Sequence, residues 1–200
     1  MNRRPWMALA ALSVWAGLAG CHVDSSKNGD HKNVNISTPF GGLQVKTNDS
    51  AVLESIGLPA YPGATPVHEK SDDGAADVNM NFGSFHLRVK AASYRTSDSP
   101  QTVADYYRDA MKHNGEVLEC RGGKPIGSPA QTSEGLGCEN SEGHHVIIMD
   151  KGGIAQIQLK TGSKLHQHIV ALDAEGGGTK IGLIALDLPG KSGDGEGEGQ

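Results

Sequence analysis

The strongest constraint on the fold lies mid-chain, where apolar and polar residues alternate on both sides of Gly83-Ser84. Val78, Met80 and Phe82 alternate with Asp77, Asn79 and Asn81, and Phe85, Leu87, Val89 and Ala91 alternate with His86, Arg88 and Lys90. Period-two alternation about a tight turn specifies an antiparallel hairpin with one buried and one wet face. A lone hairpin is marginal in water, so the rest of the chain must extend this sheet or cover it.

Similar patterns recur along the chain. Val34 and Ile36 alternate with Asn33, Asn35 and Ser37, and Pro39-Phe40-Gly41-Gly42 turns the chain into Leu43 and Val45. Val117–Cys120 reads as a short strand, and the apolar run Val146–Met149 as a central one. Asp150–Gly153 turns that strand into Ile154–Lys160, where Ala155, Ile157 and Leu159 alternate with glutamines. A last hairpin pairs Leu165–Leu172 with Lys180–Leu186 across Glu175-Gly176-Gly177-Gly178.

Helical signals are fewer. Ser50–Ile56 forms one or two turns, capped by Asp49 or Ser50 and stopped by Gly57. The main helix starts at an Asp98 or Ser99 cap with Pro100 in its first position, and Asn114-Gly115 ends it. Val103, Ala104, Tyr107, Ala110 and Met111 fall on one stripe, the spacing of a core-facing surface. Between the helices, Leu58–Ala64 holds Pro59 and Pro62, a rigid turn from which Tyr61 anchors into the core. The expected fold is α+β, an antiparallel sheet of several hairpins with one main helix packed on one face. One domain spans 33–189. Residues 190–200 alternate glycine with acidic or polar residues, bury nothing, and are expected to be disordered.

The amino terminus sets an address. Arg3 and Arg4 precede an uncharged apolar run from Trp6 to Leu18. That run is shorter than the ~20 residues that span a bilayer and has the length of a signal-peptide core. Leu18-Ala19-Gly20-Cys21 follows. This order of charges, apolar run, small residues and cysteine resembles the lipobox of bacterial lipoprotein precursors. The resemblance implies removal of residues 1–20 and a diacylglycerol on the thiol of Cys21. Each buried CH₂ contributes ~0.8 kcal/mol, so two or more acyl chains give stable anchoring where one does not. An uncleaved membrane helix is disfavoured by length, and an ordinary cleavage site does not need the cysteine. His22 stands where an aspartate signals inner-membrane retention in enteric-type bacteria. The resemblance therefore points to the outer membrane, facing the periplasm. Residues 21–32, polar and without periodicity, read as the lipidated end plus a tether that lets the domain stand off the headgroups.

Composition narrows the function classes. Removing two arginines with the signal takes the formal charge from −5 to −7. Without a basic patch, and with aromatics at 4%, nucleic acid is not an expected partner. Once Cys21 carries lipid, Cys120 and Cys138 remain as an even pair in an exported chain, which predicts a disulfide closing a loop rich in Gly, Pro and Ser. A redox or zinc site lacks the Cys-x-x-Cys spacing.

The segments Tyr61-Pro62-Gly63-Ala64 and Asp98-Ser99-Pro100 with Tyr106-Tyr107 resemble segments of uncharacterised bacterial envelope proteins. That resemblance implies a small envelope domain and no activity.

No catalytic or cofactor motif stands out, and no cofactor is expected. Gly-x-Ser-x-Gly, Walker and Gly-x-Gly-x-x-Gly patterns are missing. Gly152-Gly153 and Gly176–Gly178 read as hairpin turns, and Glu134, Glu139 and Glu142 as a solvated loop. The one metal candidate is the pair His166 and His168, two apart on a strand and therefore ~6.6 Å apart on one face. With a third ligand such as His144 or His86, the two imidazoles would chelate Zn²⁺ or Cu²⁺. The expectation is a non-enzymatic, lipid-anchored envelope domain that binds or supports a protein partner. A periplasmic metal-binding lipoprotein, or an enzyme whose site assembles only in three dimensions, stands as the alternative.

Overall fold

Eleven strands join in one antiparallel sheet in the computed structural model, which describes residues 21–28, 31–67, 74–138 and 155–190. In chain order they are β1 (His22–Asn28), β2 (His31–Thr38), β3 (Gly41–Lys46), β4 (Thr65–Pro66), β5 (Ala75–Phe82), β6 (Phe85–Thr96), β7 (Leu118–Arg121), β8 (Lys124–Pro125), β9 (Ile157–Gly162), β10 (His166–Glu175) and β11 (Gly178–Asp187). Across the sheet they run β1-β2-β3-β5-β6-β11-β10-β9-β7-β8, with β4 pairing β6 beyond the end of β5. Two short helices accompany them, α1 (Asp49–Ile56) and α2 (Pro100–Met111), and a 3-10 turn, Lys112–Asn114, continues α2.

The class is therefore β-rich, and the α+β expectation is corrected. One reason is that each hairpin's outer strand takes up another hairpin, so the sheet runs far past what the helices cover. The other is β1, which lies in the stretch read as a tether. Its register from His22↔Ser37 to Asn28↔His31 is held by main-chain hydrogen bonds, which no side-chain pattern announces. The expected strand Val146–Met149, the turn after it, residues 1–20 and residues 191–200 lie outside the described residues.

The hairpins fall where the alternation placed them. Gly83-Ser84 joins β5 to β6 with Phe82 opposite Phe85. Gly176 and Gly177, at φ 60° and 84°, form the two-residue turn between β10 and β11, which only residues tolerant of positive φ fit without strain. At the helix ends the caps differ by a residue or two. Asn48 caps α1, its side-chain oxygen accepting from the Ala51 N–H, in place of Asp49 or Ser50. Ser99 caps α2 through the Thr102 N–H, and Pro100 opens the helix as expected.

Both helices pack on one face of the sheet. Val103, Ala104, Tyr107 and Met111 of α2 are fully buried with Leu159, Val170, Leu172, Ile181 and Leu183. Val52 and Ile56 of α1 join the same core beside Ala75 and Ala92. A second, smaller cluster of Ala155, Ile169, Ala171, Ile184 and Leu186 is buried on the opposite face. Cys120 and Cys138 are disulfide-bonded, with Cα atoms 5.6 Å apart. Lys160, buried in β9, donates to the carbonyls of Gly137 and Cys138 at the end of that loop, and burial pushes its ammonium below the usual lysine range.

The Leu58–Ala64 turn is clamped onto α2. Tyr61 is buried, and its hydroxyl donates to Asp98 at 2.6 Å. Tyr106 and Tyr107 stack edge-on at 5.0 Å, and the Tyr107 hydroxyl donates to the Pro59 carbonyl at 3.1 Å. The Leu58–Ala64 turn and the Asp98–Tyr107 segment thus touch, and their tyrosines serve packing. Tyr107→Ala is expected to cost about 3–5 kcal/mol, and Tyr107→Phe about 1 kcal/mol for the lost hydrogen bond alone. Urea unfolding of the two variants checks this; equal losses would mean that the ring is not the anchor.

Candidate functional site

Pairing register gathers the exposed apolar residues at one end of the sheet. Cys21 precedes β1, and His22 pairs with Ser37, so Cys21 sits beside the β2–β3 turn that holds Phe40. Gly41 pairs with Phe82, and Phe82 with Phe85, which continues the same end into β5 and β6. Past them, Asp187 pairs with Arg88 and His166, and the Leu188 N–H donates to the Leu165 carbonyl. Fractional exposures are 83% for Phe40, 60% for Val23, 42% for Phe82, 40% for Phe85 and 39% for Leu165. Among the described residues, the other exposed large hydrophobic is Ile126, near the β8 edge of the sheet.

Behind this end, the two faces of the sheet differ in polarity. Cross-strand rows Val23–Ile36–Leu43–Met80–Leu87 and Val34–Val45–Val78–Val89–Leu186 line the face away from the helices. The helix-side rows are Asn35–Gln44–Asn79–Arg88–Asp187–His166 and Asn33–Lys46–Asp77–Lys90–Ala185–His168. α1 packs over β5, β6 and β11 on the polar side, and Lys90 donates to the Ser55 carbonyl at the end of α1. Arg88 makes a two-point contact with Asp77, at 2.7 and 3.2 Å, which holds its guanidinium above the usual range. Several of the charges of this face are thus tied to one another or to the backbone, while among the described residues no helix lies over the apolar rows of β2 and β3.

The histidine pair lies on the polar face, where it helps to line an open cleft of roughly 560 Å³. Glu116, Ser133, Glu134 and Asn114 border the same cleft. His166 Nδ1 is 2.9 Å from Asp187 Oδ1. His168 is half-buried; burial pushes its imidazole below 6.5, opposed by a hydrogen bond to the Ile56 carbonyl. Opposite it in β9, Thr161 is fully buried with its hydroxyl unpartnered. Among the described residues, no three His, Cys, Asp or Glu side chains are arranged to hold a metal ion. His86, one of the two proposed third ligands, instead contacts Asn81 at 2.6 Å on the β5–β6 hairpin. His144, the other, lies outside the described residues, as do Glu139 and Glu142. The cleft therefore offers hydrogen-bonding groups around two histidines already engaged by the protein.

Depression of the His168 pKa sets a sign for acid stability. The unfolded chain takes the proton more readily, so the contribution is complete above pH 6.5 and is lost as pH falls through the lower folded value. From pH 7.5 to 5.5 the urea midpoint of the wild type is expected to fall further than that of His168→Gln. Parallel curves for the two proteins would remove His168 from the account.

The gathering of phenylalanines at the sheet end went unnoticed in the sequence, because it exists only once the strand register is known. The alternation placed each Phe beside a turn but could not put those turns side by side. No family model, curated protein or solved structure matches this chain.

Proposed function

We propose that this chain is a lipid-anchored bacterial envelope protein, held through acyl chains on Cys21. Its domain works without catalysis, by binding or supporting a protein partner of the envelope, from the periplasmic side of the outer membrane. The observation that carries the reading is the setting of Cys21. It follows Arg3-Arg4, an uncharged run and Leu18-Ala19-Gly20, and its thiol is exposed and free. The other two cysteines are joined to each other, a pairing suited to an oxidising compartment. Cys21 is thereby left as the one thiol for acylation. Among the described residues no helix is long and apolar enough to cross a membrane.

A non-catalytic role is supported by the site's chemistry. Among the described residues, no serine or threonine of this cleft is hydrogen-bonded to a histidine side chain, and His166 and His168 are hydrogen-bonded to Asp187 and Ile56. Growth of a Gram-negative host with labelled palmitate tests the anchor. The wild-type protein is expected to take up label and to sediment with the outer membrane, and Cys21→Ser to take up none. Label on the variant, or a wild type without label, would refute the proposal.

A further inference from the structure

We infer that the end of the sheet carrying Cys21 rests on the bilayer, with Phe40, Phe82 and Phe85 inserted at the boundary between headgroups and acyl chains. This deepens the anchored reading and rests on acylation of Cys21.

Three observations point to lipid as the occupant. The first is distance. The sheet begins at His22, so Cys21 and Val23 are at most ~7 Å apart along the chain. Acyl chains on Cys21 therefore bring β1 to the membrane surface, where a flexible tether would have held the domain away. The second is placement. Strands lie ~4.8 Å apart, so Phe82 on β5 and Phe85 on β6 stand roughly 15 and 19 Å from β1, at the same end of the sheet. Phe40 lies between them and the anchor, in the β2–β3 turn. The third is chemistry. All three phenylalanines of the chain are exposed at this one end. They are continuous with the apolar rows running back through Met80 and Leu87 and through Val78 and Val89. A contiguous exposed apolar patch marks an interaction surface, and one adjoining a lipid attachment point meets acyl chains first.

Several polar groups at this end have local partners. His22 pairs with Asp24, His86 with Asn81, His166 with Asp187, and Arg88 with Asp77. Attraction to anionic headgroups is therefore not the driving force. Burial of apolar surface is, and a zwitterionic bilayer suffices.

The chain supplies its own reporter background. Both tryptophans, Trp6 and Trp15, precede Cys21, so the processed protein has none. Phe40→Trp and Phe85→Trp then each carry a single fluorophore, with Ile126→Trp as the control at the other edge. The lipidated variants are placed in phosphatidylcholine vesicles with plain or dibrominated acyl chains. Bromine is expected to quench Phe40→Trp and Phe85→Trp at least about twofold, and to leave Ile126→Trp unchanged. Equal emission in both vesicle types at Phe40→Trp and Phe85→Trp would overturn the inference. That result with a blue-shifted Phe85→Trp emission would assign the patch to protein, a second copy or another partner. Acylation is read separately, from labelled palmitate on the same samples. Label without quenching leaves the anchor standing and removes the docking; quenching without label does the reverse.

Discussion

Everything in this molecule depends on the antiparallel pairing of β6 with β11. Residues 88–96 meet residues 179–187, and with that contact the hairpins of the first half and those of the second become one sheet. The pairing also fixes which residues share a face. Ala92 meets Leu183 and Tyr94 meets Ile181 under the helices, while Val89 meets Leu186 on the other side. A slip of one residue would turn every one of these side chains over. The register is secured because β10 and β11 are buried on both faces near the centre of the sheet, as Ile169, Val170, Ala171 and Leu172 of β10 and Ile181, Leu183 and Ile184 of β11 show.

The helices are too few to cover so wide a sheet. α2 lies over β9 to β11 and α1 over β5, β6 and β11, all on one side. Among the described residues, the sheet towards β1 therefore keeps an apolar face without a helix and a polar face with paired charges. The tyrosine clamp explains why α2 sits where it does. Tyr61, Tyr106 and Tyr107 join the Leu58–Ala64 turn to the helix, and Asp98 ties both to the sheet, its side chain accepting from Tyr61 and its carbonyl from Thr179. The same asymmetry makes one end of the sheet apolar and leaves the opposite face to hydrogen-bonding groups such as His166 and His168.

Local chemistry was legible in the sequence, and assembly was not. The turns at Gly83-Ser84 and Gly176-Gly177, the Ser99 cap, the buried stripe of α2 and the Cys120–Cys138 bridge all rest on near neighbours or on simple pairing arithmetic. The extent of the sheet is hidden in the sequence because β1 is polar throughout apart from Val23, so its strand character comes from main-chain bonding to β2. The pattern of α1 is legible but its cap is ambiguous, since Asn48, Asp49 and Ser50 are all capping residue types and the cap is Asn48. Burial of Lys160 was invisible for a related reason. A lysine in an alternating strand reads as solvent-facing until a disulfide loop supplies two carbonyls for it.

We propose that Cys21 is a lipidated terminus, while Cys120 and Cys138 form a structural bridge. The most direct test is the intact mass of detergent-extracted protein, native and non-reduced. The expected mass is that of Cys21–Gln200 plus acyl chains, less two hydrogens for the disulfide. A mass that includes residues 1–20 without acyl groups, or one that shows Cys120 and Cys138 as free thiols, would contradict it.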